Sequence, residues 1–292
     1  MVQQDRFSGS RIAPLLALVL FAAAPGLASA NMGDKDVARM VSFGGACAKC
    51  ELSGRKLAGA HFMGANFAES SLVGSDLRDA RFMGANFSRA DLSRADLSDA
   101  QMIGGNFASA VLTDARLRDV EAPGVNFGGA NLARADLRDS RATGANFARA
   151  NLANAVLQGA DLNAANFSKS NGRSANFRDA DLTGSNLGSG IFDHASFRDA
   201  DLTAANLGGA TFVNADFRGA SLTSANIAGV DLSRAKGLEQ DQLDEACANG
   251  STRVPTGLTP KSCSGGRLKP PPPPRPPPPP PSPRPRYLVA TD

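Results

Sequence analysis

Large apolar residues return every five positions along most of the chain. In the stretch ANFSRADLSRADLSDA they are Phe87, Leu92 and Leu97. A helix returns to one face about every 3.6 residues and a strand about every 2, so this period fits neither element. From Leu52 to Leu232 the pattern runs through 37 consecutive units, whose central residue is Leu in 19 and Phe in 13. The pattern therefore indicates a structure other than an amphipathic helix or an alternating strand.

A small residue precedes each large one by two positions. From Ala60 to Val230 this position is always Ala, Ser, Gly or Val. In an extended chain, residues two apart point to the same side. We therefore expect each unit to send one large and one small side chain inward. The other three positions, rich in Asp, Asn, Arg, Ser, Thr and Gly, should face solvent.

The units ADLSR, ADLSD, ANFAR, ANLAN, ADLTG and ADFRG resemble the pentapeptide-repeat family, whose consensus is A-(D/N)-L-x-x. The resemblance covers residues 50–236. It implies an all-β fold, a right-handed quadrilateral β-helix with one pentapeptide on each side and four in each coil. The 37 units then predict about nine coils and a rod roughly 45 Å long, at the usual spacing between strands.

A period of twenty residues lies within the period of five. Asn precedes the centre of every fourth unit without exception, at Asn66, Asn86, Asn106, Asn126, Asn146, Asn166, Asn186, Asn206 and Asn226. Four units per coil would stack these nine Asn in one column. Stacked amides can hydrogen-bond along a column, so we expect a structural ladder.

The centres follow the same twenty-residue period. Phe occupies centres 67, 87, 107, 127, 147 and 167, and Leu occupies the opposite side at 57, 77, 97, 117, 137 and 157. After residue 170 the two sides exchange, which keeps the volume of a close-packed core constant. Ala122, Ala142 and Gly172 break the pattern. They predict loose packing in the middle coils, which would give a bend, a small apolar pocket or a local collapse without a role.

The two ends of the chain differ from the repeat. Residues 1–30 combine a basic start, an apolar run and the small residues ASA, an order typical of a signal peptide cleaved after Ala30. Residues 31–49 should cap the first coil, because Val37, Met40 and Val41 have helical spacing. Residues 237–263 should form a C-terminal helical cap. Its apolar residues are Leu238, Leu243 and Ala246, and Gly250 is its predicted stop.

Residues 264–292 form a Pro-rich tail that we expect to be disordered. Thirteen of the seventeen residues from 270 to 286 are Pro, which favours a polyproline II rod of roughly 50 Å at full extension. Such a tail could span the cell envelope, bind an aromatic-lined groove or have no partner.

Four cysteines lie near the two ends of the repeat. Cys47 falls where a centre would stand and Cys50 falls at an inward small position, so they could be core thiols, a tight disulfide or a redox pair. No thioredoxin-like pattern surrounds them, which argues against redox catalysis. In an exported protein Cys247 and Cys263 are expected to form a disulfide. Its loop of 17 residues would stabilise the cap by about 3 kcal/mol.

Charge is balanced along the repeat. Residues 50–236 carry 20 acidic and 19 basic side chains. One column of Asp runs beside a column of Arg, and its members are Asp79, Asp99, Asp119, Asp139, Asp179 and Asp199. It could be a charge-balanced turn or a cation-binding edge. His61 and His194, the two histidines, lie far apart. No catalytic, metal or cofactor site is therefore predicted, and the chain is not expected to be an enzyme.

These observations favour a non-catalytic, exported scaffold or protein-interaction module of the cell envelope, either periplasmic or secreted. Its partner would be an unidentified protein or an envelope polymer, with no nucleic acid and no transmembrane segment in the mature chain. The alternative is a DNA mimic that protects topoisomerases, as some pentapeptide-repeat proteins do. That role needs a strongly negative surface, which this repeat lacks. A partial Thr column at 143, 183, 203 and 223 suggests adhesion to an ordered surface as a further option.

Overall fold

The computed structural model describes residues 33–34 and 44–262. The predicted signal peptide and Pro-rich tail lie outside these residues. So does the helical pattern of Val37, Met40 and Val41, and these three features stay predictions. Within the described ranges, no helix is both long enough and apolar enough to cross a membrane.

Parallel backbone pairing joins each unit to the unit twenty residues further along the chain. The pairs run without a gap from Ala46 with Asn66 to Asp216 with Lys236. Four pentapeptides therefore complete one coil, and the chain winds as a β-helix. Each side of a coil pairs with the next coil through one short extended segment. Pairing starts at Ala46, four residues before the predicted boundary at residue 50, because Cys47 and Cys50 already occupy inward positions.

A β-turn forms each corner of the coil. The backbone N–H three residues after a centre donates to the carbonyl of that centre, as Ala60 does to Leu57 at 3.1 Å. The residue two after the centre has a positive φ, such as 58° at Asp79 and 66° at Gly144. Outside glycine this region is sparsely populated, yet 23 non-glycine residues of the described chain adopt it. Pairing between coils therefore imposes the turn, and glycine is not required for it.

The inward positions form one core along the rod. Phe rings one coil apart stack from Phe67 to Phe167, with centroids 4.8–5.3 Å apart. From Phe177 to Phe217 the stack continues on the opposite side at 5.1–5.2 Å. The predicted exchange of sides after residue 170 therefore appears in the core.

The predicted weak point at Gly172 is filled by a neighbour. A Cβ added to Gly172 would lie 2.6 Å from the ring of Phe192, one coil further on. The Phe192 ring thus occupies the space that a Leu side chain would need, and the prediction of loose packing is wrong here. Ala122 and Ala142 are buried, and beside them the ring of Phe127 is tilted by 39° from that of Phe107.

The helix α1, Gln240–Glu245, closes the C-terminal end. Leu243 is buried, and the side chain of Gln242 donates to the carbonyls of Phe217 and Ala220 at 2.9 and 2.7 Å. The bond to Ala220 satisfies a carbonyl that the end of the β-helix would otherwise leave unpaired, whereas the carbonyl of Phe217 also accepts the turn N–H of Ala220 at 3.0 Å. The helix ends before the predicted stop at Gly250, because the backbone of Cys247 already pairs with that of Asn226 and Ile227.

Candidate functional surface

Asparagines line one side of the rod, which we call the asparagine face. On this face each Asn Nδ2 donates to Oδ1 of the Asn one coil earlier, over 2.9–3.4 Å. The structure brings all nine predicted residues together in one ladder, from Asn66 to Asn226. The ladder is half-buried along most of its length, so the amides shield one another from water.

Each ladder Asn also satisfies the backbone of its own unit. Its Oδ1 accepts the N–H two residues later, as Asn146 does from Ala148 at 3.1 Å. Asp fills the same role elsewhere, for example Asp181 for Thr183 at 2.9 Å. This bond explains why Asn or Asp so often precedes the centre, since that N–H otherwise has no partner in the turn.

A second, shorter ladder was missed by the sequence analysis. Asn151 donates to Asn131, and Asn171 donates to Asn151, each at 3.0 Å. The signal was present, because these three residues are also spaced by twenty. They lie on another side of the coil, so amide ladders are not confined to the asparagine face.

The side that contains Leu77 and Leu97 is densely charged, and we call it the charged face. Three of its Arg residues bind the Asp two positions earlier. Arg78 bonds both oxygens of Asp76 at 2.8 Å, and Arg138 and Arg218 contact Asp136 and Asp216 in the same way. We expected the Asp79 column to lie beside these Arg residues, and Arg178 does contact it, at 3.2 Å from Asp179 and 3.7 Å from Asp199. Arg78 instead binds Asp76, because side chains two apart share a side of the strand, whereas Asp79 lies on the turn.

Ion pairing shifts the acid–base equilibria of the charged face. The hydrogen bond from Arg78 lowers the pKa of Asp76, and the hydrogen bond from Arg218 does the same to the pKa of Asp216. For Asp136, burial raises the pKa, but the bonds from Arg138 outweigh it and the net pKa is lowered. These three carboxylates are therefore held ionised and paired with arginine. The cation-binding edge was predicted for a different set of residues, the column that begins at Asp79, and it stays a prediction.

The side that contains Phe62 and Phe82, which we call the strip face, has two unlike halves. Its N-terminal half carries an apolar strip, one residue per coil: Met63, Met83, Ile103 and Pro123. Beside the strip runs a glycine column, in which nothing lies within 4 Å of an added Cβ: Gly64, Gly84, Gly104, Gly124 and Gly144. Apart from the apolar strip, this half is therefore flat and has no side chains at its turn positions.

The C-terminal half of the strip face carries carboxylates and hydroxyls. Asp161, Asp181 and Asp201 follow one another in paired positions, and we call them the acidic column. Thr143 donates to Asp161 at 3.0 Å. The predicted Thr column lies beside the acidic column, although Asn163 interrupts it. The strip face thus changes from apolar to acidic along the rod.

The cysteines lie at the two ends of the described rod. Cys47 and Cys50 are joined by a disulfide that links the two inward positions of one turn, and Cys47 is buried. Cys247 is also disulfide-bonded. Its predicted partner, Cys263, lies outside the described residues.

No catalytic constellation appears in the part of the chain that the structure describes. His61 and His194 are exposed and lie on different coils. Among these described residues, no three or more His, Cys, Asp or Glu are arranged to hold a metal ion. A hollow of 220 Å³ near the C-terminal end is lined by Phe212, Asp231, Ser233 and Arg234, among others. Ser233 Oγ donates to Asp231 Oδ1 at 2.6 Å within the turn of their own unit, and no histidine is among the lining residues.

The fold and its surfaces define a β-helical solenoid with four flat outer sides. A family model of pentapeptide repeats matches this chain in eight copies, over residues 47–82, 80–119, 110–149, 124–157, 150–188 and 195–234. These matches cover more than half of the chain, and the chain belongs to the pentapeptide repeat family. Its solenoid is accordingly a right-handed β-helix.

Solved structures of pentapeptide repeat proteins match this chain to different extents. HetL, a pentapeptide repeat protein involved in heterocyst differentiation regulation from the cyanobacterium Nostoc sp. strain PCC 7120, is 25% identical at a TM-score of 0.62. That match covers 77% of this chain and 98% of HetL. QnrB1, a plasmid-mediated fluoroquinolone resistance protein, is 22% identical over 67% of this chain and 90% of its own, at a TM-score of 0.35. No curated protein matches the chain.

Proposed function

We propose that this protein is an exported, non-catalytic scaffold of the cell envelope that binds a protein or an envelope polymer through its flat sides. The observation that carries the proposal is the division of each unit into two buried and three outward positions. All the large rings described are buried, while the outward side chains form straight columns. Such a surface presents regularly spaced contacts to an extended partner and no enclosed reaction site.

Three further features support export. The first is the signal-like sequence of residues 1–30. The second is the pair of disulfide sites at Cys47–Cys50 and at Cys247, since disulfides persist in oxidising compartments. The third is the Pro-rich tail, long enough to hold the rod away from an anchoring point. In this proposal residues 31–45 and 237–263 act as end caps and the repeat between them is the binding element.

The resemblance to HetL fits a regulatory scaffold, since that protein is described as involved in heterocyst differentiation regulation. A DNA-mimicking role finds less support. The repeat carries 20 acidic and 19 basic side chains, whereas duplex DNA carries one negative charge per about 1.7 Å of its axis. The charge balance therefore favours a protein or polymer partner.

Site-specific photocrosslinking in the native cell tests the proposal. A crosslinking amino acid would replace Ser168 on the asparagine face, Arg118 on the charged face or Met83 on the strip face, one at a time in the full chain. We expect a discrete crosslinked product from one of these faces and an N-terminus at Asn31 in the envelope fraction. Retention in the cytoplasm with residues 1–30 intact would contradict export. Equal crosslinking from all three faces, or none, would contradict a binding face.

A further inference from the structure

The exposed apolar side chains of the rod are concentrated on one half of the strip face. Met63 and Met83 are 39% and 37% exposed, and they are the large hydrophobic residues that stand exposed in the described chain. Ile103 and Pro123 continue the same column with partial exposure. Outward positions elsewhere on the rod are mostly polar or small, so this apolar strip needs a separate explanation.

The glycine column makes the surface beside the strip unusually accessible. The same turn position on the charged face carries Asp79, Asp99 and Asp119 with an equally positive φ. Conformation alone therefore does not require five glycines in succession. Their effect is to remove side chains next to the apolar strip, which lets another flat surface approach closely.

A charged column runs along the other edge of the strip. Its members, from the N-terminal end, are His61, Arg81, Gln101, Glu121 and Arg141. Arg81 is exposed and makes no ion pair with the described residues, and Glu121 is approached by Arg141 alone, at 3.9 Å. Arg81 and Glu121 lie at equal distances on either side of Gln101, one coil away in each direction.

We propose that the apolar half of the strip face is a self-association surface, on which a second copy of this chain packs antiparallel about a two-fold axis at Ile103. A two-fold axis across the rods keeps each column over its equivalent in the other copy. Ile103 then meets Ile103, Met83 meets Pro123, and Arg81 of each copy faces Glu121 of the other. The glycine columns also coincide, so the two walls can come into contact.

The distribution of charge selects this arrangement over others. Packing the two rods parallel requires a two-fold axis along the rods, which exchanges the two edges of the face, so Arg81 of one copy would not meet Glu121 of the other. An antiparallel pair centred between Met83 and Ile103 would cover the apolar strip but place Arg81 opposite Gln101. The axis at Ile103 pairs both arginines with glutamates, and it leaves Asp181 and Asp201 beyond the overlap.

The contact is small, so the association should be weak. The overlap of five coils, spaced by about 4.8 Å, on a side about 10 Å wide gives a contact area of roughly 240 Å² on each copy. A standard interface buries about 800 Å² per partner. We therefore expect a reversible dimer that is seen at high protein concentration and weakens with added salt, because its specific contacts are ion pairs.

Cysteine crosslinking tests the axis directly. The Ile103→Cys variant of the full chain should form a disulfide-linked dimer under mild oxidation, because the two introduced thiols, one from each copy, would meet on the axis. Thr183→Cys lies in the same column four coils further on and is the matched control, with no dimer expected. Equal crosslinking of the two variants, with both folded by circular dichroism, would overturn the proposal.

Charge exchange provides a second test by sedimentation at up to roughly 1 mM protein. Arg81→Glu and Glu121→Arg should each weaken dimerisation at least tenfold through repulsion between like charges. The double variant Arg81→Glu/Glu121→Arg should restore the original affinity, since each pair is re-formed with its charges reversed. A protein that stays monomeric throughout this range, or a double variant as weak as the single ones, would overturn the proposal.

Discussion

The two halves of the strip face share one backbone but carry different chemistry. The unit RFMGA at 81–85 belongs to the apolar half and the unit DLTGS at 181–185 to the acidic half. In both units the centre is buried, at Phe82 and Leu182, and the turn glycine has a φ of 64–65°. Outward residues therefore change class without altering the coil, which leaves three positions in five for function.

Inward residues, by contrast, cannot change independently, because the size of each side chain must fit its neighbours in the core. The ring of Phe192 occupies the space above Gly172, and the Phe stack changes sides after Phe167. A close-packed core requires such compensation between coils. The residue types at the inward positions, the inward wall, therefore depend on one another over several coils. The residue types at the outward positions, the outward wall, can change one at a time.

The largest effect is expected from removal of a stacked ring. Phe147→Ala removes a fully buried side chain that stacks at 5.2 and 4.8 Å on the rings before and after it. The free energy of unfolding should fall by about 3–5 kcal/mol. The control Arg149→Ala, two residues later and outward, should change it by less than about 0.5 kcal/mol. Urea denaturation measures both, and similar losses would contradict the division into inward and outward walls.

A second test restores the consensus at a position where the structure forbids it. Gly172→Leu places the usual centre residue where Phe192 already lies 2.6 Å from the added Cβ. We expect a loss of about 3 kcal/mol from overpacking, not the gain expected from filling a cavity. The double variant Gly172→Leu/Phe192→Leu should recover most of this stability in a double-mutant cycle. A stabilising single variant would show that the space is empty.

Features that backbone spacing sets could be predicted from the sequence, whereas features that a side-chain conformation sets could not. The five-residue and twenty-residue periods predicted the coil, the inward positions and the column from Asn66 to Asn226, because each depends on backbone spacing alone. The filling of Gly172 could not be predicted, since a rotamer of Phe192 decides it. The pairing of Arg78 with Asp76 was likewise missed, because the direction of a long side chain depends on local turn geometry.

A third test separates the amide ladder from the turn bond. Asn146 donates to Asn126 at 2.9 Å, accepts from Asn166 at 3.3 Å and caps the N–H of Ala148. Asn146→Ala removes all three hydrogen bonds. Because each contributes a net of about 1 kcal/mol or less, we expect the free energy of unfolding to fall by about 2 kcal/mol.

The matched control for that test is Asn176→Ala. Asn176 caps the N–H of Arg178 at 3.1 Å, and its neighbours in the column are Val156 and Ser196. Its replacement should therefore cost about 1 kcal/mol or less. If the two variants lose equal stability in thermal and urea unfolding, the ladder adds nothing beyond the turn bond, and an outward column would then contribute no cooperative stability.

The smallest expected effect concerns the conformation of the turn. The change in the free energy of unfolding should have opposite signs at two equivalent turn positions. Ala164 has a φ of 55°, and Gly144, one coil earlier in the same column, has a φ of 66° with open space around an added Cβ. Ala164→Gly should stabilise the protein by about 1 kcal/mol or less, because glycine adopts this region without the steric penalty of a Cβ. Gly144→Ala should destabilise it by a similar amount. The opposite signs distinguish backbone strain from packing, since neither substitution changes a core contact. Equal signs in the urea midpoints would instead show that the outward wall senses side-chain contacts across coils, as the inward wall does.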